Sequence, residues 1–412
     1  VTGASTRPGP LPGTDRRAGA PVPRRVVIVG GGLAAHACAA QLRAGGHDGE
    51  ITVLGAESRA PYDRPPLSKE FLHGTIEGTA LPDPGDVRMR TGHRAVRLEP
   101  GLVLSRGPDG STHEHPYDAA VLAPGLTARR LPGDEVRPNT CTLRTHEDAV
   151  ALREALRGTP RLAIIGAGWV GAEVAGTAAG AGCRVTVVDT APTLLAGLLP
   201  AELGDPLRRW YEDAGIDLRL GTSIVHIGDQ DVELAGGVRV PADIVLVGIG
   251  AEPATDWLRG SAVALSPTGH IPTDAYLTTS DPAVYAAGDV AEWPSARFGA
   301  RLCPAHWDHA AASGRAVART ILGAAQPYDP VPYFWSDQLG HRIQYVGHHT
   351  RDDDLSVHGT PGAGPWSVTW RRDARLRAVL TIDDPRGARR ALHALREGTE
   401  PEFGPAAPTR LP

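Results

Sequence analysis

The sequence predicts an α/β protein with two parallel βαβ units, each opened by a glycine-rich turn. Two stretches carry the prediction. In the first, the β-branched run Val26-Val27-Ile28-Val29 is followed at once by Gly30-Gly31-Gly32-Leu33-Ala34-Ala35. An alanine-rich helical pattern then runs to about Ala44, a second strand covers Ile51-Thr52-Val53-Leu54, and Glu57 follows. In the second, Leu162-Ala163-Ile164-Ile165 meets Gly166-Ala167-Gly168-Trp169-Val170-Gly171, then a helix, the strand Val185-Thr186-Val187-Val188 and Asp189. Strand, tight turn, helix, strand, acid is the order of a dinucleotide-binding unit. Finding it twice in one chain is far more specific than finding it once. The fold class is therefore α/β with two Rossmann-like dinucleotide-binding domains.

Composition bounds the rest. A chain of 412 residues is too long for one ordinary core and implies two or three domains. The net charge of −5 gives no global bias toward nucleic acid or an anionic membrane, and no apolar run approaches spanning length. Cys38, Cys141, Cys183 and Cys303 are scattered, with no CxxC pair and no metal-ligand spacing, as expected of reduced thiols in the cytoplasm. Residues 1–23 are rich in Gly, Pro and Arg and read as a disordered leader. Arg16-Arg17 has no hydrophobic segment behind it to make a twin-arginine signal. Of 42 basic residues, Lys69 is the only lysine.

In the first unit Gly30 allows the sharp turn, and Gly32 leaves room for a pyrophosphate to approach the backbone. Ala35, where a third glycine often sits, still lets helix and strand pack closely. The helix N-terminus then offers unpaired N–H groups and a positive dipole end to the phosphates. Glu57 stands 25 residues after Gly32, where a carboxylate accepts from ribose hydroxyls.

Next comes Pro61-Tyr62-Asp63-Arg64-Pro65-Pro66-Leu67-Ser68-Lys69, a proline-fixed loop in which a helix can start only near Leu67. This run resembles the flavin-contacting loop of oxygenase-coupled, NADH-dependent ferredoxin reductases. These are FAD proteins of the glutathione-reductase structural class that serve cytochrome P450 and Rieske oxygenase systems. The resemblance covers residues 25–397. It implies an FAD domain made of residues 24–137 and 266–330, interrupted by an NAD domain over 138–265, and a small α+β C-terminal domain over 331–412. It implies FAD contacts at Gly30, Gly32, Leu33, Ala34, Ala35, Glu57, Arg64, Pro65 and Lys69. A lysine near flavin N5 supplies positive charge and a proton donor, for which arginine is a poor substitute. The alternative is a surface lysine that survived by chance.

Residues 95–98 and 102–104 read as irregular strands. Tyr117-Asp118-Ala119-Ala120-Val121-Leu122-Ala123-Pro124-Gly125 reads as a buried strand ending in a turn, with Ala123 and Gly125 on the implied flavin site. Pro124 stands where the family has threonine, so a hydroxyl and an N–H are lost. The family also implies an FAD contact from Arg129, which Arg130 follows. An amphipathic helix opens at Leu143-Arg144-Thr145-His146-Glu147-Asp148. In the second unit Gly166, Gly168, Val170, Gly171 and later Gly250 are the implied NAD contacts. Asp189 lies 21 residues after Gly168 and suits a free ribose 2′-hydroxyl, and no Lys or Arg occurs between it and Arg208. Glu173 is read as sitting in the first turn of its helix, favourable at the positive dipole end. The resemblance places it beside the nicotinamide and Lys69, so an ion pair between two domains is expected. The family's arginine near Leu194 is missing.

Thr278-Thr279-Ser280-Asp281-Pro282-Ala283-Val284-Tyr285-Ala286-Ala287-Gly288-Asp289 returns the chain to the FAD domain. Gly288 permits close approach, and Asp289 accepts from a ribityl hydroxyl. His306 and Trp307 open a helix running to about Leu322, its dipole aimed at the flavin, and Ala305 replaces the family's glutamate. His306 and His309 lack a third metal ligand nearby, so no metal is expected. Trp335, in Pro332-Tyr333-Phe334-Trp335-Ser336-Asp337-Gln338, is either a flavin-edge contact or a buried aromatic. Arg371, Arg372, Arg375, Arg377, Arg386, Arg389 and Arg390 follow, a solvated face or a surface for an acidic partner.

The function this implies is hydride transfer from NADH to FAD, catalysed with Lys69 and Glu173. Single electrons then pass to an iron-sulfur ferredoxin that feeds a cytochrome P450 or Rieske oxygenase. Cys38 stands alone where disulfide reductases of this class carry CxxxxC, which excludes a dithiol relay. The expected protein is cytoplasmic, monomeric or homodimeric, without nucleic acid or membrane partners. Two alternatives are a stand-alone FAD/NADH enzyme acting on a small biosynthetic molecule and a non-enzymatic, redox-gated binding protein. Asp189 and the lack of basic residues after it predict that NADH exceeds NADPH in kcat/KM by at least about tenfold, about 1.4 kcal/mol. Steady-state rates with both coenzymes check this, and equal values would refute it.

Overall fold

The computed structural model describes residues 21–131, 137–158, 160–401 and 409–410. The first twenty residues of the expected leader, Arg16 and Arg17 among them, lie outside these. The chain divides into two compact units, and neither is a continuous stretch. The first gathers the residues up to Tyr62, Ala80–Leu126 and Pro253–Pro330. The second gathers Asp63–Thr79, Thr127–Glu252 and the chain from Val331 on. The proline-rich loop is cut between them, so Arg64, Pro65, Ser68 and Lys69 belong to the second unit.

The first unit is built on a five-stranded parallel sheet in the order Val284–Ala286, Ala119–Leu122, Arg25–Val29, Glu50–Leu54, Arg88–Arg90. Its central strand is buried on both faces from Val26 to Val29, which explains an unbroken β-branched run instead of an alternating one. Val29 pairs with both Leu54 and Leu122, so three strands end level and Gly30 emerges at their carboxyl edge. Ligands of parallel sheets bind at that edge. Helix Leu33–Ala44 packs on helix Trp307–Ile321 at very short range. Small residues set that distance: a Cβ at Gly314 would stand 2.2 Å from the carbonyl oxygen of Ala34. Strands Arg94–Glu99, Leu102–Arg106 and Thr112–Pro116 form a separate antiparallel sheet.

The second unit has its own five-stranded parallel sheet, in the order Asp217–Arg219, Arg184–Val188, Arg161–Ile165, Ile244–Val247, Thr140–Cys141. Helix His146–Ala155 starts where its sequence directs. Thr145 Oγ1 accepts from Asp148 N–H, and the Asp148 carboxylate accepts from Thr145 N–H, a reciprocal capping box. The C-terminal part is a six-stranded antiparallel sheet running Tyr333–Gln338, His341–Gly347, Arg375–Ile382, Trp366–Arg372, Asp354–His358, Thr409–Arg410. Helix Pro385–Glu397 packs on it, opened by the Asp384 side chain accepting from Gly387 N–H and closed by left-handed Gly398. One apolar cluster joins the parallel sheet and the C-terminal sheet of this unit, running from Leu152, Ile164, Val174 and Trp210 to Ile343, Val368, Trp370 and Leu380. Among the described residues no helix is long and apolar enough to cross a membrane.

The two helices of the first unit give a stability prediction. Gly314→Val would drive a branched side chain into the backbone of Ala34 and should destabilise by about 1–3 kcal/mol. Gly180→Ala, at the end of helix Trp169–Gly180, meets no atom within 4 Å. It should be neutral or stabilise by up to about 1 kcal/mol. Thermal unfolding of both variants checks this, and a Gly314→Val protein melting with the wild type would refute the close crossing.

Candidate functional site

The first unit brings its glycine turn, Gly288 and two helix ends to one place. Gly30 has φ of +125°, and a Cβ there would sit 1.9 Å from the Ala123 carbonyl oxygen. The segment Ala123–Pro124, just beyond strand Ala119–Leu122, therefore crosses directly over the turn. Gly32 is the N-cap of helix Leu33–Ala44, which has neither a side-chain cap nor an acid in its first turn. No side-chain cap or first-turn acid of the chain itself answers its N-terminal N–H groups, as an anion site requires. Gly288, at φ of +70°, fits against the same helix: an added Cβ would lie 2.9 Å from the Ala34 methyl. Its N–H donates to Ser313 Oγ at 2.8 Å.

Helix Trp307–Ile321 also starts without a side-chain cap, at His306. Burial pushes both His306 and His309 down to about 4, against the attraction of nearby Asp289, so both rings are neutral at physiological pH. His309 Nε2 lies 3.1 Å from the Gly288 carbonyl oxygen, which can only accept. The proton therefore sits on Nε2, and Nδ1 accepts from the Tyr328 hydroxyl at 2.8 Å. Trp293 stacks on that ring at 4.4 Å. His309 thus holds the Gly288 turn from below rather than carrying charge. Glu57 Oε2 accepts from the Tyr62 hydroxyl at 2.5 Å, which orients its carboxylate.

The second unit repeats the device. Gly166 has φ of +107°, with the Gly248 carbonyl oxygen 2.4 Å from where its Cβ would be. Gly171 packs on Gly166, its added Cβ only 2.1 Å from that residue's oxygen. Gly168 caps helix Trp169–Gly180, again without a side-chain cap or a first-turn acid. Val170 is exposed in the first turn. Gly250 is left-handed at φ of +99°, and its carbonyl accepts from the N–H of exposed Arg129 at 3.0 Å. Asp189 accepts from Ala167 N–H at 2.6 Å and Ala191 N–H at 2.8 Å, which ties the glycine turn to the next strand and leaves each oxygen a lone pair.

Glu173 corrects one expectation. The helix begins at Trp169, so Glu173 falls in its second turn and the dipole is not what favours it. Side-chain partners do so instead. Glu173 Oε2 lies 2.7 Å from Lys69 Nζ and accepts from Ser68 Oγ at 2.5 Å, while Oε1 accepts from Ser336 Oγ at 2.7 Å. The pair is well shielded, with side chains 17% exposed at Lys69 and 8% at Glu173. Thr177 Oγ1, one turn on, donates to the Ser68 carbonyl at 2.9 Å. Both ends of the ion pair lie within the second unit, because the loop carrying Lys69 packs there. A cleft of about 610 Å³ opens beside the pair, with Glu70, His73 and Asp337 on its walls.

Other expected site residues fall as follows. Arg64 Nη1 donates to the Arg144 carbonyl at 2.5 Å, holding the loop to the start of helix His146–Ala155. Trp335 is half-buried and stacks on Tyr333 at 6.0 Å, on the strand face opposite Ser336. Arg371 is paired with Glu400, Arg372 with Asp353 and Arg390 with Asp384, and Arg386, Arg389 and Arg390 lie exposed on helix Pro385–Glu397. Three residues escape a reading of the sequence: Ser68 and Ser336, which flank singled-out residues, and Arg219. Arg219 pairs with Val188 across the sheet, its carbonyl accepts from Asp189 N–H at 2.9 Å, and its guanidinium is held by Asp217. No window around Asp189 reaches it. Among the described residues no group of three could hold a metal ion.

The residues fit two dinucleotides. At Gly32 an added Cβ would meet no atom within 4 Å and at Gly168 only one, at 4.0 Å, so nothing in the chain itself demands glycine for space. Residues 24–314 match the family described as pyridine nucleotide-disulphide oxidoreductase, and residues 333–409 match the domain described as reductase C-terminal. The chain is 35% identical over 373 residues to the ferredoxin reductase component of chlorobenzene dioxygenase from Cupriavidus sp. (strain PS12). That alignment covers 88% of this chain and 90% of the relative. The crystal structure of Fdr9 superimposes with a TM-score of 0.84 at 42% identity, covering 92% of this chain and 96% of the other. The reductase of the covalent putidaredoxin reductase–putidaredoxin complex gives 0.85 at 30% identity, over 91% and 93%.

The two open cradles predict distinct losses. Gly32→Val should fold but purify without FAD, because its branched side chain fills the space for a pyrophosphate. Gly168→Val should keep FAD and bind NADH at least about tenfold more weakly, about 1.4 kcal/mol. Flavin absorbance and NADH titration read the outcome, and the opposite pair of phenotypes would reverse the two sites.

Proposed function

We propose that this chain, which belongs to the pyridine nucleotide-disulphide oxidoreductase family, is an FAD-dependent NADH:ferredoxin oxidoreductase. It serves a cytochrome P450 or Rieske oxygenase in the cytoplasm. The first unit's glycine turn, Gly288, Asp289 and the His306 helix end hold FAD, and the second unit's turn with Asp189 holds NADH. The observation that carries the reading is that two open cradles occur in a chain without a dithiol. The four cysteines are free, and Cys38, on the helix that follows the first turn, is fully buried with its thiol pushed up to about 12. A thiol so placed does not ionise or exchange at neutral pH. The family's name includes a disulphide substrate, but this member has no means of reducing one through its own thiols.

Bound FAD would supply the redox chemistry, two-electron acceptance from NADH and one-electron release to a ferredoxin. The chain positions and stabilises. Uncapped helix ends bind the pyrophosphates, and Asp189 accepts from a ribose hydroxyl. Lys69 brings a positive charge to the negative charge that hydride delivery creates, at a position where water screens it weakly. Glu173 holds Lys69 in place. The exposed guanidinium groups on helix Pro385–Glu397 offer an acidic ferredoxin a complementary face.

Lys69→Ala should retain FAD but slow its reduction at saturating NADH by about 10–100-fold, about 1.4–2.7 kcal/mol. Lys69→Arg should also be impaired, because a planar guanidinium does not replace a compact ammonium. Anaerobic stopped-flow absorbance measures both, and wild-type reduction rates in FAD-loaded variants would remove Lys69 from the mechanism.

A further inference from the structure

We propose that Ser336, on the first strand of the C-terminal sheet, is a positioning residue for the Glu173–Lys69 pair, so that this sheet takes part in hydride transfer. The inference rests on the roles given above to Lys69 and Glu173. Helix Trp169–Gly180 presents Trp169, Glu173 and Gly176 on one face, spaced by one and two turns. Strand Tyr333–Gln338 answers with every second residue. Phe334 meets the Trp169 ring edge-on at 4.7 Å, and Ser336 donates to Glu173. Beyond the strand, the backbone of Leu339 comes within 3.3 Å of where a Gly176 Cβ would be. The strand can lie this close because position 176 has no side chain.

The two oxygens of Glu173 are served unequally. Oε2 has two donors, Ser68 and Lys69, whereas Oε1 has Ser336. Gln338 fixes the direction of that bond: its Nε2 donates to Ser336 Oγ at 3.1 Å, which leaves the serine proton for the carboxylate. Removing the Ser68 hydroxyl leaves Oε2 with Lys69. Removing the Ser336 hydroxyl leaves a buried carboxylate oxygen without its donor, so the carboxylate turns to recover one. Lys69, held by that carboxylate, turns with it.

The test is anaerobic stopped-flow reduction of the FAD-loaded full chain by NADH. Ser336→Ala should lower the limiting reduction rate by about 3–10-fold, the size of one lost hydrogen bond, while the Kd for NADH stays within about twofold. Ser336→Thr, which keeps a hydroxyl, should recover most of the rate, and Ser68→Ala should lose less than Ser336→Ala. Adding Ser336→Ala to Lys69→Ala should cost nothing further, because Ser336 acts through the lysine. Three results would overturn the proposal: a wild-type rate in Ser336→Ala, an equal loss in Ser336→Thr, or additive losses in the double variant. If Lys69→Ala itself reduced at the wild-type rate, the fault would lie in the role given to Lys69, which that variant tests alone.

Discussion

A single buried carboxylate holds the second unit's site together. Glu173 comes from the nucleotide-binding helix, Ser68 and Lys69 from the proline-fixed loop, and Ser336 from the C-terminal sheet. Desolvating an isolated carboxylate is expensive, so these three donors are a condition for Glu173 to be there at all. A buried ion pair adds little net stability on this account. Its effect is specificity: three segments far apart in sequence must arrive at one point, or a charge is left without partners.

Much of the fold was legible because it rests on local patterns. The β-branched runs, the glycine turns and the small-residue helices each fall within about thirty residues, and the strands and helices form where those patterns put them. The pairing of Lys69 with Glu173 was legible only through the family resemblance, since nothing in either neighbourhood refers to the other. What could not be read depends on approach between distant segments. Ser336 sits in a quoted stretch, yet its partner is 163 positions away. Arg219 reaches Asp189 only by strand pairing. Glu173 was read one turn too early because the glycine pattern hides where helical geometry begins: the helix starts at Trp169, inside that pattern.

The two cradles are alike in construction and differ in how they are supported. In both, the segment just beyond the return strand crosses a left-handed glycine closely enough that a methyl group could not fit. Beneath the first, a neutral histidine hydrogen-bonds the second glycine turn and is itself held by a tyrosine hydroxyl and a stacked tryptophan. Beneath the second, an aspartate ties the turn to its neighbouring strand. Similar backbone geometry thus rests on a neutral ring in one case and on a carboxylate in the other.

The interrupted layout of the first unit has a consequence during synthesis. Its opening helix, Leu33–Ala44, buries Ala34, Cys38 and Leu42, and packs on a helix that ends only at Ile321. Its sheet lacks one edge until Val284–Ala286 is made. At roughly 5–20 residues per second, the early apolar face waits on the order of a quarter-minute to a minute for its cover. Through that interval alanine and cysteine are a favourable choice of residues. They are apolar enough to drive final packing, yet too small to form a sticky surface while the ribosome is still at work.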